Sequence, residues 1–505
     1  MNVFLMHRDR DFDERAAPPF NAKDLVKDLE LRVLLDAMAG GNELIREVCE
    51  KAILCSVMDA DTIRYRQQVL ADGIGNPAAI RAMYDLTVET LERRRKSWYG
   101  FFAKTPSSIL LNAVGLIHLL TDMLRKLRGI AEAHAPAFRS EGLLSLVRML
   151  MRELSDEYLG SVQTHVAELR FRSGVLQSAR LGDGNVSADF VLRKPKRARG
   201  WLQRLVRSVR PSFGFKIAAR DDGGARAVGE MKDQALNTVA NALAQSADHI
   251  LGFFTMLRNE LAFYVGCLNL HERLAAKRQS VCFPDPVDEN WRAFACRGLC
   301  DAALALTIDG AVVGSDVTAD GKDVAFITGP NQGGKSTFLR SVGIAQLMMQ
   351  CGMFVTAESF MAGICHGVFT HYKREEDATM THGKFSEELQ RMSLIVNHLR
   401  KHSFVLFNES FAATNEREGS EIARQIVTAL RENSIKVMYV THMYELAHGF
   451  RDRNTDGTIF LRAGRQSDGT RTFKISEGEP LQTSFGKDVY DKLFATGEKA
   501  SLLMQ

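Results

Sequence analysis

Apolar residues recur every three to four positions over most of the first 280 residues, then give way to short unbroken apolar runs. From Asp24 to about Asp59 the residues Leu29, Leu31, Val33, Leu34 and Met38, then Leu44, Ile45 and Val48, follow a helical period that Gly40 and Gly41 interrupt. That pattern predicts helix, turn, helix. The same texture continues through Ile80 to Phe102, Ile109 to Ala131 and Leu143 to Leu169, with proline nearly absent from the periodic stretches. Between Phe171 and Gly224 it lapses: Gly182, Gly184 and Asn185 signal turns, and Val186 to Leu192 reads as a short strand. Helical spacing resumes from Met231 to about Lys277, through Leu236, Val239, Leu243, Ile250, Phe253, Phe254, Leu257, Leu261 and Val265. After Pro284 and Pro286, apolar runs such as Val324 to Thr328, Phe404 to Phe407 and Lys436 to Val440 alternate with helical stretches. Alternation of that kind predicts an α/β domain with a mainly parallel sheet. The expected order is a helical region at 1–170, an irregular insertion at 171–224, returning long helices at 225–280 and an α/β domain at 281–505.

With 505 residues the chain is too long for a single core, so several domains are expected. Hydrophobic residues at 45% and charged residues at 25% exclude global disorder and fibrous repeats. The apolar stretch Ile109 to Leu120 is short for a membrane span and carries Asn112 and His118, so it reads as a buried helix and no membrane partner is expected. Arg8, Asp9, Arg10, Asp11 and Asp13 leave no apolar signal-peptide core at the start, which predicts a cytoplasmic location. Of the eight cysteines only Cys296 and Cys300 lie close together, without a second pair at zinc-ligand spacing, so they read as reduced and structural. A net charge of +4 says little about partners, and any nucleic-acid signal has to be local.

The strongest chemical signal is Gly329-Pro330-Asn331-Gln332-Gly333-Gly334-Lys335-Ser336-Thr337, which satisfies G-x-x-x-x-G-K-[ST]. A strand-like run, Asp323 to Thr328, precedes it and a helical stretch follows. Glycines let the backbone N–H groups close around phosphates, and the helix N-terminus adds its positive dipole end. Lys335 is placed to reach the β- and γ-phosphates of ATP, and Ser336 to ligate Mg2+. A second strand, Ser403 to Phe407, ends in Asn408-Glu409, where such proteins hold magnesium and the attacking water, so Glu409 is the candidate general base. A third, Lys436 to Val440, ends in Thr441-His442, which puts His442 at the same sheet edge as a candidate γ-phosphate sensor.

These residues resemble the ATPase domain of the MutS mismatch-repair family. The resemblance runs from Thr328 to Thr337, through Gly352 to Val355, Phe385, Glu388-Leu389, Asn408-Glu409, Thr414-Asn415, Glu418-Gly419 and Thr441-His442, to Ser484-Phe485-Gly486. More weakly, Asp28 to Leu31 and Ile63 to Leu70 resemble the core and lever helices of that family. The resemblance implies a P-loop ATPase domain of the ABC type behind a helical core and lever. It implies a homodimer in which each nucleotide site receives a segment of the partner copy, here Gly383, Lys384, Thr414 and Asn415, and a lever that couples nucleotide state to a DNA clamp. Two positions depart from the pattern. Asn408 replaces the Asp usual before the glutamate, which predicts slowed turnover, and Gly383 and Lys384 replace a serine and threonine of the trans-acting segment. Lys384 either supplies charge to the partner's phosphates or is a solvated lysine.

No N-terminal domain with a Phe-x-Glu mismatch wedge, no connector and no nuclease module is evident, so direct mismatch reading is not expected; without a base-reading motif, binding that depends on DNA structure rather than sequence is expected, and the repair partners stay open. The basic cluster of Arg193, Lys194, Lys196, Arg197 and Arg199, with Arg204, Arg207 and Arg210 around Trp201, suits phosphate contact; the other reading is a solvated loop. A second function class stays beside the DNA-coupled ATPase, namely a nucleotide-gated scaffold with weak hydrolysis that assembles protein partners.

Overall fold

A computed structural model describes residues 1–96, 105–171, 174–185, 187–194, 214–288, 290–374, 383–453 and 456–480. Contacts divide the chain into two units, one of residues 4–80, 137–144 and 259–505, the other of residues 1–3, 81–136 and 145–258.

The larger unit begins with helices α1 (Ala22–Asp28), α2 (Leu31–Ala39), α3 (Glu43–Leu54) and α4 (Ala60–Gly75). The α2–α3 break falls where the glycines predict it: Gly40 closes α2 in the left-handed region at φ 55°, and the Asn42 side chain caps α3 by accepting from Ile45 N–H. Ahead of these helices, residues 4–12 form a strap held by buried side chains. The fully buried Glu260 carboxylate accepts N–H bonds from Leu5 (2.6 Å), Met6 (3.2 Å) and Phe12 (2.7 Å). Tyr264 and Tyr65 donate to the Leu5 and Phe4 carbonyls, and Arg66 Nε donates to that of Met6.

In the smaller unit, parts of α5 (Pro77–Lys96) and α7 (Glu141–Glu153) join α6 (Pro106–His134) and α8 (Asp156–Glu168). The periodic stretch from Leu143 to Leu169 is two helices rather than one, because Ser155 turns out of the helix and caps α8 through Tyr158 N–H. Helix α6 is long and apolar enough to cross a membrane, yet Leu110, Val114, Ile117, Leu120, Leu124 and Leu127 along it are buried, and it packs on α8. The insertion contains a hairpin, β1 (Gln177–Leu181) with β2 (Ser187–Leu192), of which only the second strand is legible from the sequence. Helix α9 (Asp222–Ala276) starts nine residues before Met231.

After α9 come β3 (Asp285–Val287), β4 (Phe294–Leu299), α10 (Ala302–Thr307), β5 (Ser315–Thr318), β6 (Val324–Thr328), α11 (Lys335–Gln350), β7 (Ser359–Gly363) and β8 (Val368–Tyr372). Then follow α12 (Lys384–Val396), β9 (Phe404–Asn408), α13 (Glu416–Glu432), β10 (Lys436–Val440), α14 (Tyr444–Asp452), β11 (Thr458–Arg465) and β12 (Arg471–Glu477). Six of these strands make one sheet in the order β12-β11-β6-β10-β9-β8, parallel except for β12. A second sheet has the order β3-β7-β4-β5.

Side chains of β9 explain why the central strands read as unbroken apolar runs. Val405 and Phe407 enter a core with Met392 of α12, Val427 of α13 and Leu446 of α14. Leu406 points the other way, against Gly343 of α11. With both faces covered, the sheet leaves its strand ends as the place for chemistry.

Candidate functional site

Gly329 to Gly334 join the C-terminal end of β6, in the middle of the six-stranded sheet, to the N-terminus of α11. Gly329 has φ 116°, and a side chain there would lie 3.0 Å from Ala463 N. Gly334 stands before the helix at φ 87°, a conformation glycine adopts without steric cost. The loop is thus shaped by β11 on one side and by its own glycines on the other. The Lys335 ammonium folds over it, donating to the Gly329 (3.1 Å) and Pro330 (2.9 Å) carbonyls. Burial pushes Lys335 down to about 8, with the Glu409 carboxylate pulling the other way.

Strands β9 and β10 bring the other predicted residues to the same edge. Asn408 ends β9, and its Oδ1 accepts a 2.9 Å hydrogen bond from the Ser336 hydroxyl. Glu409 follows at φ 53°, with its Oε1 3.0 Å from His442 Nε2 beyond the end of β10. That hydrogen bond, aided by the charges of Lys335 and Lys373, holds Glu409 below the usual glutamate range against the opposing effect of burial. An ionised carboxylate within reach of an imidazole is suited to orient water.

The turn that carries Glu409 is strained. Phe411 also lies in the left-handed region, at φ 61°, and a non-glycine residue there costs on the order of 1–3 kcal/mol. Buried groups hold it: Tyr439 Oη donates to the Ser410 carbonyl (2.6 Å), and Phe411 N–H donates to Glu388 Oε2 (2.8 Å).

Magnesium fits the donors present. Ser336 Oγ and Asn408 Oδ1 are hard neutral oxygens one hydrogen bond apart, with the Glu409 carboxylate next in the chain. Among the described residues no cluster of three or more His, Cys, Asp or Glu forms a closed metal cage. Such an open oxygen set suits an ion that keeps waters and takes phosphate oxygens.

Other expected positions have local duties. Thr414, Asn415 and Glu418 form a reciprocal cap of α13: Asn415 Oδ1 accepts from Glu418 N–H (2.9 Å), while Thr414 Oγ1 (2.7 Å) and Asn415 Nδ2 (3.2 Å) donate to Glu418 Oε2. Gly383 precedes α12, which Lys384 opens. Arg193 donates to Ser178 Oγ (2.9 Å) across its own hairpin, and Lys194 pairs with Glu168 (2.9 Å). Lys196, Arg197 and Arg199, Trp201, Arg204, Arg207 and Arg210, and Ser484 to Gly486 lie outside the described residues.

Sequence reasoning missed β12. Arg471 Nε donates to the Asn331 carbonyl (3.1 Å), and Phe473 packs against Gly334. Lys474, the next residue, lines a cavity of about 330 Å3 together with Arg278, Arg297, Asp316 and Glu358. No motif marks Arg471 or Phe473; only sheet pairing brings them to the loop.

Loop, sheet and strand ends together define an α/β protein built around a phosphate-type loop. Residues 58–277 match the family described as the MutS2 N-terminal domain, and residues 325–495 match MutS domain V. The chain belongs to the MutS family. It is 33% identical over 171 residues to the DNA mismatch repair protein MutS of Porphyromonas gingivalis, a match covering 31% of this chain and 19% of that protein. It is 34% identical over 133 residues to the probable DNA mismatch repair protein Msh6 of Drosophila melanogaster (26% and 11%). With MutS of Thermotoga neapolitana the identity is 36% over 129 residues (26% and 16%). The matches span less than a fifth of each of these relatives.

Proposed function

We propose that the chain hydrolyses ATP with magnesium and couples its nucleotide state to clamping on mismatched, branched or otherwise deformed DNA in repair or recombination. The observation that carries this reading is the meeting of the Gly329–Thr337 loop, Asn408-Glu409 and His442 at the ends of three adjacent parallel strands. In this reading Lys335 exchanges its two loop carbonyls for β- and γ-phosphate oxygens, and Ser336 and Asn408 hold the magnesium ion. That ion supplies charge neutralisation to the phosphates. Glu409 orients and deprotonates the attacking water while His442 senses the γ-phosphate. Homodimerisation would bring Gly383, Lys384, Thr414 and Asn415 to the partner's phosphates, and the basic segment from residue 193 would meet the DNA backbone.

Asn408 supports a second reading, because an amide in place of a carboxylate weakens the magnesium shell. A nucleotide-gated scaffold would bind ATP tightly and turn it over little. Steady-state ATP hydrolysis, measured with and without branched DNA at one salt concentration, separates the two. Stimulation by DNA is expected; tight ATP binding with neither turnover nor DNA affinity would favour the scaffold.

A further inference from the structure

We propose that His371, Ser410 and Glu388 are positioning residues for hydrolysis: a buried bracket that holds Glu409 and Phe411, on either side of Ser410, in their left-handed conformations and so aims the Glu409 carboxylate. The inference rests on the reading of Glu409 as the base.

His371 and Ser410 are fully buried and Glu388 nearly so. His371 Nε2 stands 3.0 Å from the Glu388 carbonyl oxygen, which can only accept, so the ring proton sits on Nε2. Nδ1 then presents its lone pair to Ser410 Oγ at 2.7 Å. Burial keeps the imidazole neutral, pushing it down to about 3. The single Ser410 hydroxyl proton faces two acceptors, Nδ1 and the His371 carbonyl. One residue on, Phe411 stacks on the His371 ring at 5.1 Å and gives its N–H to the Glu388 carboxylate at 2.8 Å.

Three further contacts close the bracket. Tyr439 Oη donates to the Ser410 carbonyl, Glu409 N–H donates to the Val440 carbonyl (2.9 Å), and a side chain at Gly419 would collide with the Phe411 carbonyl. Three backbone groups and one side chain of a strained turn are therefore tied to three different elements, β10, α12 and β8. Strained turns persist where their surroundings over-determine them, and they cluster where a side chain has to be aimed. Glu409 makes no contact with His371 or Glu388 in this scheme; they act on it through Ser410 and Phe411.

The test uses the full chain with four substitutions, Ser410→Ala, Tyr439→Phe, Glu388→Ala and Glu388→Gln, beside Glu409→Gln. Measurements are kcat and KM for ATP, affinity for a non-hydrolysable ATP analogue, and thermal melting. Misaiming by a fraction of an ångström predicts a kcat loss of about tenfold in Ser410→Ala and Glu388→Ala, a smaller one in Tyr439→Phe, and KM and analogue affinity within about twofold. Glu388→Gln keeps an oxygen for Phe411 N–H and is expected to restore most of the kcat that Glu388→Ala loses. Parental kcat in cooperatively melting Ser410→Ala and Glu388→Ala, with Glu409→Gln inactive, would overturn the bracket and leave the base assignment standing. Parental turnover in Glu409→Gln would instead remove the base assignment and the bracket with it. Should Glu388→Ala fail to fold, Ser410→Ala and Tyr439→Phe decide.

Discussion

At the residue scale, the loop and its neighbours divide binding from chemistry. Lys335 is the cation folded over the loop, so Lys335→Ala is expected to weaken ATP binding at least tenfold, read by equilibrium titration. Undiminished hydrolysis would remove the loop from the reaction. Glu409→Gln keeps the shape and the contact with His442 but loses the base, so ATP should still bind while turnover falls by about 10² or more. Asn408→Asp restores a carboxylate beside Ser336, and the magnesium concentration for half-maximal activity is expected to fall by roughly tenfold without loss of rate. A clear loss of rate would mean that the amide is adapted to its Ser336 partner. Lys335, Ser336, Asn408 and Glu409 were legible because each sits at a fixed offset from an apolar strand. His371 and Ser410, 39 residues apart in the chain, were not, since their pairing is a product of the β8–β9 register.

At the scale of elements, legibility followed burial. Strands β6, β9 and β10 announce themselves as five-residue runs almost wholly inside, whereas β1 is Gln-Ser-Ala-Arg-Leu with a largely exposed pattern and carries no alternation to read. The second sheet was missed for a related reason: β3 is Asp-Pro-Val, and β7 ends in glycine. The early start of α9 hides behind Gly223, Gly224 and Gly229, which weaken any helical pattern. The strap at residues 4–12 left no periodic trace because side chains hold it, and those side chains give it a pH dependence. Burial raises Glu260 from 4.5 to about 7, against the three N–H bonds that favour its ionised form. A raised carboxylate binds a proton in the folded state that it lacks when the strap opens, so stability is full below about 4.5 and is lost as pH rises toward 7. The opening constant at the Leu5, Met6 and Phe12 amides, from hydrogen exchange corrected for intrinsic rate, is expected to rise by up to roughly tenfold per pH unit across that window, then level off. Glu260→Gln should abolish the trend; pH-independent protection in the parent would refute it.

At the scale of the whole molecule, a prediction concerns DNA. If the segment from residue 193 tracks a phosphate backbone, neutralising Arg193, Lys194, Lys196 and Arg197 together should lower affinity for every DNA form alike. The slope of log affinity against log salt should flatten by up to roughly 3.6, at about 0.9 for each phosphate no longer neutralised, while ATP hydrolysis without DNA persists. An unchanged slope would return the segment to a solvated role and move the DNA surface elsewhere. The order of the central sheet bears on something different, the birth of the protein. Both neighbours of β6, the strand that carries the phosphate-type loop, come from far downstream: β10 begins at Lys436 and β11 at Thr458. During synthesis at about 5–20 residues per second, the roughly 110 residues separating the end of β6 from the start of β10 take on the order of 5–20 s to appear. For that interval a strand that is apolar in four of its five positions has emerged with neither edge paired, and the loop behind it has no sheet to stand on. The nascent chain thus passes through a stage with an exposed, unpaired strand before it can hold a nucleotide, and its strand order sets how long that aggregation-prone stage lasts.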